Sequence, residues 1–126
     1  MAHVIRVVVI EPDNGLRELV TMNLAMDGRF QVVGESPGGD DMLRLALSRG
    51  PDAIVLDYLS VNPMEALPAI KQSLPEVVLI CCSSRNGHLQ EQALQLGADY
   101  FLMKERTLSD DIVSALIASN PDTEWA

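Results

Sequence analysis

The stretch Pro51-Asp52-Ala53-Ile54-Val55-Leu56-Asp57 runs from a turn signal through four apolar residues to a single carboxylate. Apolar residues without alternation mark a strand that is covered on both faces, as in a parallel sheet. A carboxylate closing such a strand stands at the sheet edge where open α/β folds keep their sites.

Upstream, residues 3–10 are rich in β-branched side chains and stop at the polar Glu11-Pro12-Asp13-Asn14-Gly15. Asp13 or Asn14 can cap a first helix whose apolar positions Leu16, Leu19, Val20 and Leu24 share a face, with Gly28 placed to end it. Phe30 to Gly34 reads as a second strand, and Glu35-Ser36-Pro37-Gly38-Gly39 as a loop. Asp40 can cap a second helix carrying Leu43, Leu45, Ala46 and Leu47, terminated by Gly50-Pro51.

Downstream, Tyr58 to Met64 is a loop. Glu65 to Leu74 is a third helix, begun late enough to keep Pro68 in its first turn, where a missing N–H costs nothing. Val77 to Cys82 is a fourth buried strand, followed by the polar Ser83-Ser84-Arg85-Asn86-Gly87-His88, in which His88 starts or precedes a helix. Leu89, Ala93 and Leu96 mark that fourth helix, which Gly97 stops, and Tyr100 to Met103 is a fifth strand ending at Lys104. Thr107 with Asp110 suits a helix start, and Ile112, Val113, Leu116 and Ile117 form the last apolar stripe before Asn120-Pro121. Trp125 falls in the polar tail, residues 119–126.

Strand and helix thus alternate five times with short connections and no repeat or linker. Right-handed crossovers then predict one α/β domain over residues 1–126, with a doubly wound five-stranded parallel sheet. A chain of 126 residues is long enough to bury a real core, and 48% hydrophobic against 21% charged residues is globular composition. The net charge of −9 and the absence of any Lys/Arg run argue against direct contact with nucleic acid or an anionic membrane. No apolar segment approaches the ~18 residues of a membrane span. Cys81 and Cys82 are neighbours in a strand and point to opposite faces, so they imply no disulfide framework and fit a reduced, cytoplasmic setting.

In a parallel sheet the C-terminal strand ends share one edge, which brings together Glu11 and Asp13, Asp57, and Lys104. Each alone has an ordinary structural use: Asp13 as a cap, Asp57 in a turn, Lys104 as a solvated end. Together they carry the right charge types for one chemistry. Carboxylates with carbonyl and water ligands suit a hard cation such as Mg²⁺, and a lysine neutralises a transferring phosphoryl group. A flavodoxin-like or hydrolase enzyme would instead need a Gly-rich phosphate loop, a G-x-S-x-G elbow or a pair of aromatics to stack a flavin, and none is present.

The Pro-Asp, apolar run, Asp pattern resembles the phosphoacceptor strand of response-regulator receiver domains. So do the 47-residue spacing from Asp57 to Lys104 and the Gly97-Ala98-Asp99 that precedes Phe101-Leu102-Met103-Lys104. The resemblance spans Val4 to about Ile117. It implies the flavodoxin-like receiver fold with strand order 2-1-3-4-5, and a two-component phosphorelay function in which Asp57 accepts a phosphoryl group from a histidine kinase. It further implies Mg²⁺ held by Glu11, Asp13, Asp57 and the Leu59 carbonyl, phosphate held by Cys82, Ser83 and Lys104, and Phe101 as the switch aromatic. The domain is then a phosphoacceptor and not an enzyme. The implied partners are a second copy, through the fourth helix, fifth strand and last helix, and a DNA-binding output domain beyond residue 126 where the protein is longer.

The site departs from the family pattern at several positions. The acidic pair reads Glu11-Pro12, so its second acid is absent. Cys82 stands where the family has Thr or Ser, and a thiol is a poor donor to phosphate, which leaves Ser83 to reach. Val61 and Glu105 stand where prolines are usual. These changes set up the alternative: a pseudo-receiver of the same fold that binds partners without phosphorylation.

Overall fold

The computed structural model describes residues 3–120; Trp125 and the rest of the tail from residue 121 lie outside the described residues. Five strands, β1 (Ile5–Ile10), β2 (Phe30–Ser36), β3 (Ala53–Asp57), β4 (Val78–Ser83) and β5 (Tyr100–Met103), alternate with five helices. The helices are α1 (Asn14–Met26), α2 (Met42–Ser48), α3 (Pro63–Ser73), α4 (Leu89–Gln95) and α5 (Leu108–Ala118). All pairings are parallel, in the order β2-β1-β3-β4-β5. This is the doubly wound architecture that the alternation predicts, in the flavodoxin-like strand order that the resemblance implies.

The pleat divides the core into two layers, because successive side chains of a strand point to opposite faces. Ile5, Val7, Val9, Ala53, Val55, Ile80 and Cys82 pack under α1 and α5. Val8, Ile10, Ile54, Leu56, Leu79 and Cys81 pack against residues of α2, α3 and α4. Every residue of β3 is buried, which is why its sequence shows no alternation. Burying each of its larger aliphatic side chains contributes roughly 1.5–3 kcal/mol.

Register then fixes the site. Ile10 pairs with Leu56, so Glu11 and Asp57 are the next residues at the same level, and Asp57 pairs with Cys82. Cys82 in turn pairs with Leu102, so Lys104 lies two residues beyond that level. Glu11, Asp57, Cys82 and Lys104 share the parity of the α1/α5 layer, whereas Tyr58, Ser83 and Phe101 have the opposite one.

Several local details differ from the sequence reading. On α1 the buried positions are Val20, Thr21 and Leu24, and Leu19 is 52% exposed, about 100° round the helix from the Val20 side. That helix ends through Asp27, whose N–H bonds the Leu24 carbonyl. Asp27 also takes the Arg29 backbone and guanidinium on its carboxylate, and Gly28 needs no left-handed conformation. Strand β2 runs two residues past Gly34, stitched by the Glu11 N–H to the Ser36 carbonyl at 2.9 Å.

The α2 cap is Asp41 and not Asp40, without a side-chain hydrogen bond. Helix α3 starts at Pro63, a favoured first position, so Pro68 lies inside it and cannot donate to the Met64 carbonyl. The loop after β3 contains a 3₁₀ turn, Tyr58–Ser60. Gly97 does stop α4, at φ +116°, where a Cβ would also lie 2.9 Å from Lys71 Cγ. Thr107 is the N-cap of α5 as expected, but its hydroxyl donates to the Asp111 carboxylate and makes no cap hydrogen bond.

Candidate functional site

The three strand-end charges meet. Lys104 Nζ lies 2.5 Å from Glu11 Oε1 and 2.6 Å from Asp57 Oδ1, reaching back across β4 from its position beyond the strand. Both carboxylates are buried, at 6% and 8% exposure, so the shared ammonium is the charge that makes their burial tolerable. Burial is the largest single influence on Lys104 and opposes its charge. The hydrogen bonds and charges of Asp57 and Glu11 together outweigh it and hold the lysine pKa above its ordinary value.

Glu11 is braced from its own loop. Its Oε2 accepts the Asp13 N–H at 2.9 Å, and its backbone carbonyl accepts Arg17 Nη1 at 2.7 Å. Arg17 also reaches Asn14 and Glu35, tying the start of α1 to β2. Asp13 does not join the pocket. It is exposed, and its Oδ1 caps α1 by accepting the Leu16 N–H at 2.9 Å.

No family model matches the chain. It is 34% identical over 116 residues to the "Probable transcriptional regulatory protein NarL" of Mycobacterium tuberculosis, covering 90% of this chain and 53% of that protein. It is 30% identical over 115 residues to the transcriptional regulatory protein DegU of Brevibacillus brevis, covering 89% and 48%. The solved signal receiver domain of M. tuberculosis NarL superposes with a TM-score of 0.83 at 28% identity, covering 94% of this chain and 98% of that one. The chain is a response-regulator receiver domain. It spans about half the length of the curated relatives it matches.

The remaining predicted site residues of this receiver fall in different surroundings. Cys82 is 3% exposed, beside Asp57, among the α1/α5 apolar side chains, and lines a small cleft with Glu11, Asp57 and Ile112. Burial pushes its thiol pKa far up, more strongly than the Lys104 charge draws it down. Burial likewise pushes Cys81 up to about 12, reinforced by Asp99 and Asp57. Both thiols are packing groups. Ser83 is fully buried on the opposite face, its Oγ accepting the Arg85 N–H at 3.0 Å. The Leu59 side chain is 50% exposed in the 3₁₀ turn, where the Ser60 hydroxyl bonds the Asp57 carbonyl. Phe101 is half-buried and stands edge-on to Tyr58, with ring centroids 6.0 Å apart at 78°.

The donor set fits a hard cation through two carboxylates only. Among the described residues no group of three or more His, Cys, Asp or Glu is placed to hold a metal. Pro12 brings no ligand, Asp13 is engaged as a cap, and the Lys104 ammonium already occupies the space between Glu11 and Asp57. A cation entering here competes with that lysine.

Tyr58, Gln92 and Arg17 were not legible as site residues. Tyr58 is fully buried behind Asp57, and its hydroxyl donates to Gln92 Oε1 on α4 at 2.5 Å. Burial raises its pKa, with the neighbouring Cys81 adding to the effect. The one signal in the sequence is an aromatic directly after the strand-end acid, and pleat alternation sends it into the layer opposite Asp57. Gln92, 34 residues away, carries no signal at all.

Proposed function

We propose that this receiver accepts a phosphoryl group on Asp57 from a histidine kinase and thereby changes the surface it offers to partners. The observation that carries this reading is the buried Glu11–Lys104–Asp57 cluster at the sheet edge. An Asp57 carboxylate oxygen attacks phosphorus, the P–N bond to the kinase imidazole breaks, and the electron pair leaves on that nitrogen. Lys104 can leave Glu11 and follow the incoming phosphoryl oxygens, which keeps the added negative charge compensated.

Mg²⁺ would be held by Glu11 and Asp57 with the Leu59 carbonyl, and would supply further charge neutralisation. In this reading Ser83, buried on the opposite face with its oxygen accepting the Arg85 N–H, leaves the phosphoryl group to Lys104. Cys82 contributes shape at the pocket floor. Phe101, half-buried at the fifth strand, is the aromatic positioned to change rotamer.

The output surface in this reading is α4, β5 and α5, which pairs with a second copy. The relatives' length supports an output domain beyond residue 126 in the whole protein, and their names support a transcriptional output. The domain itself works as a phosphoacceptor in the cytoplasm, and is not an enzyme acting on an external substrate. No helix among the described residues is long and apolar enough to cross a membrane.

Incubation with acetyl phosphate and Mg²⁺, followed by intact mass, tests the proposal. The expected result is a gain of one phosphoryl group in the wild type and none in Asp57→Asn, because an amide cannot act as the nucleophile. Uptake that persists in Asp57→Asn puts the chemistry elsewhere. No uptake in the wild type or in Pro12→Asp leaves a phosphorylation-independent interaction module.

A further inference from the structure

Helix α4 is thinly attached. Of its seven residues only Ala93 is fully buried, its N-cap His88 makes no side-chain bond, and the loop before it, residues 84–88, is exposed throughout. Leu89 and Leu96 are partly buried at its two ends, and Leu94 faces solvent at 44% exposure. On such a helix a single well-made polar bond is a large share of the attachment, and the Tyr58–Gln92 bond lies next to Ala93.

The other end of that bond is rooted at the phosphoacceptor. Tyr58 follows Asp57 directly and begins the 3₁₀ turn, whose Ser60 hydroxyl bonds the Asp57 carbonyl at 2.8 Å. The main chain of Asp57 is therefore held to the turn that carries Tyr58, with little slack between them. The tyrosine ring is fully enclosed and abuts the edge of Phe101. Neither strand-end residue of β4 supplies an equivalent link: Cys82 lies in the α1/α5 layer, and the Ser83 oxygen is bonded to Arg85.

We propose that Tyr58 is a positioning residue that ties the phosphoacceptor strand to α4 through Gln92, so that a change at Asp57 alters how firmly α4 is held. The use of this link as a switch rests on the phosphoacceptor reading of Asp57; the link itself does not. Displacement of the Asp57 backbone moves the tyrosine hydroxyl against a helix with few other anchors. Gln92 lies on the exposed side and can exchange its partner for water, so the cost of opening the bond falls on the buried Tyr58 hydroxyl.

Hydrogen exchange on the intact chain tests the link, with Tyr58→Phe and Gln92→Leu as variants. Tyr58→Phe keeps the ring in the core and removes only the hydroxyl. Loss of one such bond should speed exchange of the α4 amides by about threefold to tenfold, with β1 and β3 amides unchanged. The double variant should equal either single one, because both remove the same bond. Unchanged α4 exchange in Tyr58→Phe, or additive effects in the double variant, overturns the link.

Beryllofluoride with Mg²⁺ serves as the phosphoryl probe. It should change α4 exchange in the wild type and leave it unchanged in Tyr58→Phe. By reciprocity its own affinity should then shift by the factor seen at α4, a response that a merely structural tyrosine would not give. An equal α4 response in wild type and Tyr58→Phe overturns the switch role. Failure of the probe to bind wild type overturns the phosphoacceptor reading and the switch role together, while the exchange comparison without the probe still decides the link.

Discussion

Replacing Lys104 by methionine removes the one ammonium that two buried carboxylates share while keeping most of the side-chain volume. Glu11 Oε1 and Asp57 Oδ1 lie 2.5 and 2.6 Å from Nζ, so they stand no more than about 5 Å apart. Unit charges at that separation, at an effective dielectric near 20, repel by about 3 kcal/mol. Removing one partner of a buried pair costs about 3–5 kcal/mol, in the same range. Urea unfolding should therefore show Lys104→Met destabilised by about 3 kcal/mol with an unchanged slope. Adding Asp57→Asn should restore much of the loss, because one charge is then gone. Mg²⁺ should stabilise Lys104→Met more than the wild type, since the cation no longer displaces the lysine. A cost below about 1 kcal/mol, the scale of an exposed ion pair, would refute the shared-counterion argument. So would a double variant no more stable than Lys104→Met alone.

Pro12→Asp adds a carboxylate beside Glu11 and should lower the Mg²⁺ concentration needed for half-maximal acetyl-phosphate labelling of Asp57; an unchanged requirement would show that position 12 does not face the cation. The hydrogen bond from the Arg29 side chain holds the Asp27 carboxyl below its ordinary 3.8. The stability it confers is present above pH 3.8 and is lost as the pH falls from there through the lowered folded value. The stability gap between wild type and Asp27→Asn, followed by circular dichroism, should accordingly be constant at neutral pH and close below pH 3.8. Cys81 and Cys82, both buried with raised pKa values, should resist a thiol reagent at neutral pH and react together on unfolding; fast labelling of either one in the folded protein would contradict their reading as packing groups.

The sheet was legible because burial of β3 on both faces leaves an unbroken apolar signature, and each strand stops at a polar turn. Topology then put Glu11, Asp57 and Lys104 at one edge without any knowledge of side-chain paths. What the sequence concealed depends on rotation and reach. Leu19 fits an apolar spacing, yet the buried stripe follows Val20, Thr21 and Leu24. Pro68 argued for a late start to α3, but Pro63 is a better first residue and the helix tolerates the interior proline. Ser83 looked available to phosphate by its place in the chain, while pleat parity puts it on the other face from Asp57. Tyr58 and Gln92 meet across 34 residues through tertiary packing alone.

Pro12 shows how a departure read as a loss has a second physical side. In this loop no second acid replaces the missing one, because Asp13 turns outward to cap α1. The first acid is instead held more tightly: Glu11 has one more methylene than an aspartate and folds back over Pro12 to take the Asp13 N–H. Proline fixes its own φ and limits the residue before it, which removes freedom from the turn that Glu11 needs. Arg17 then holds the Glu11 carbonyl from the other side. The outcome is a single, well-braced carboxylate aimed at Lys104. Such a pocket sets one ammonium against two carboxylates, and any cation or phosphoryl group that enters must first draw the lysine away.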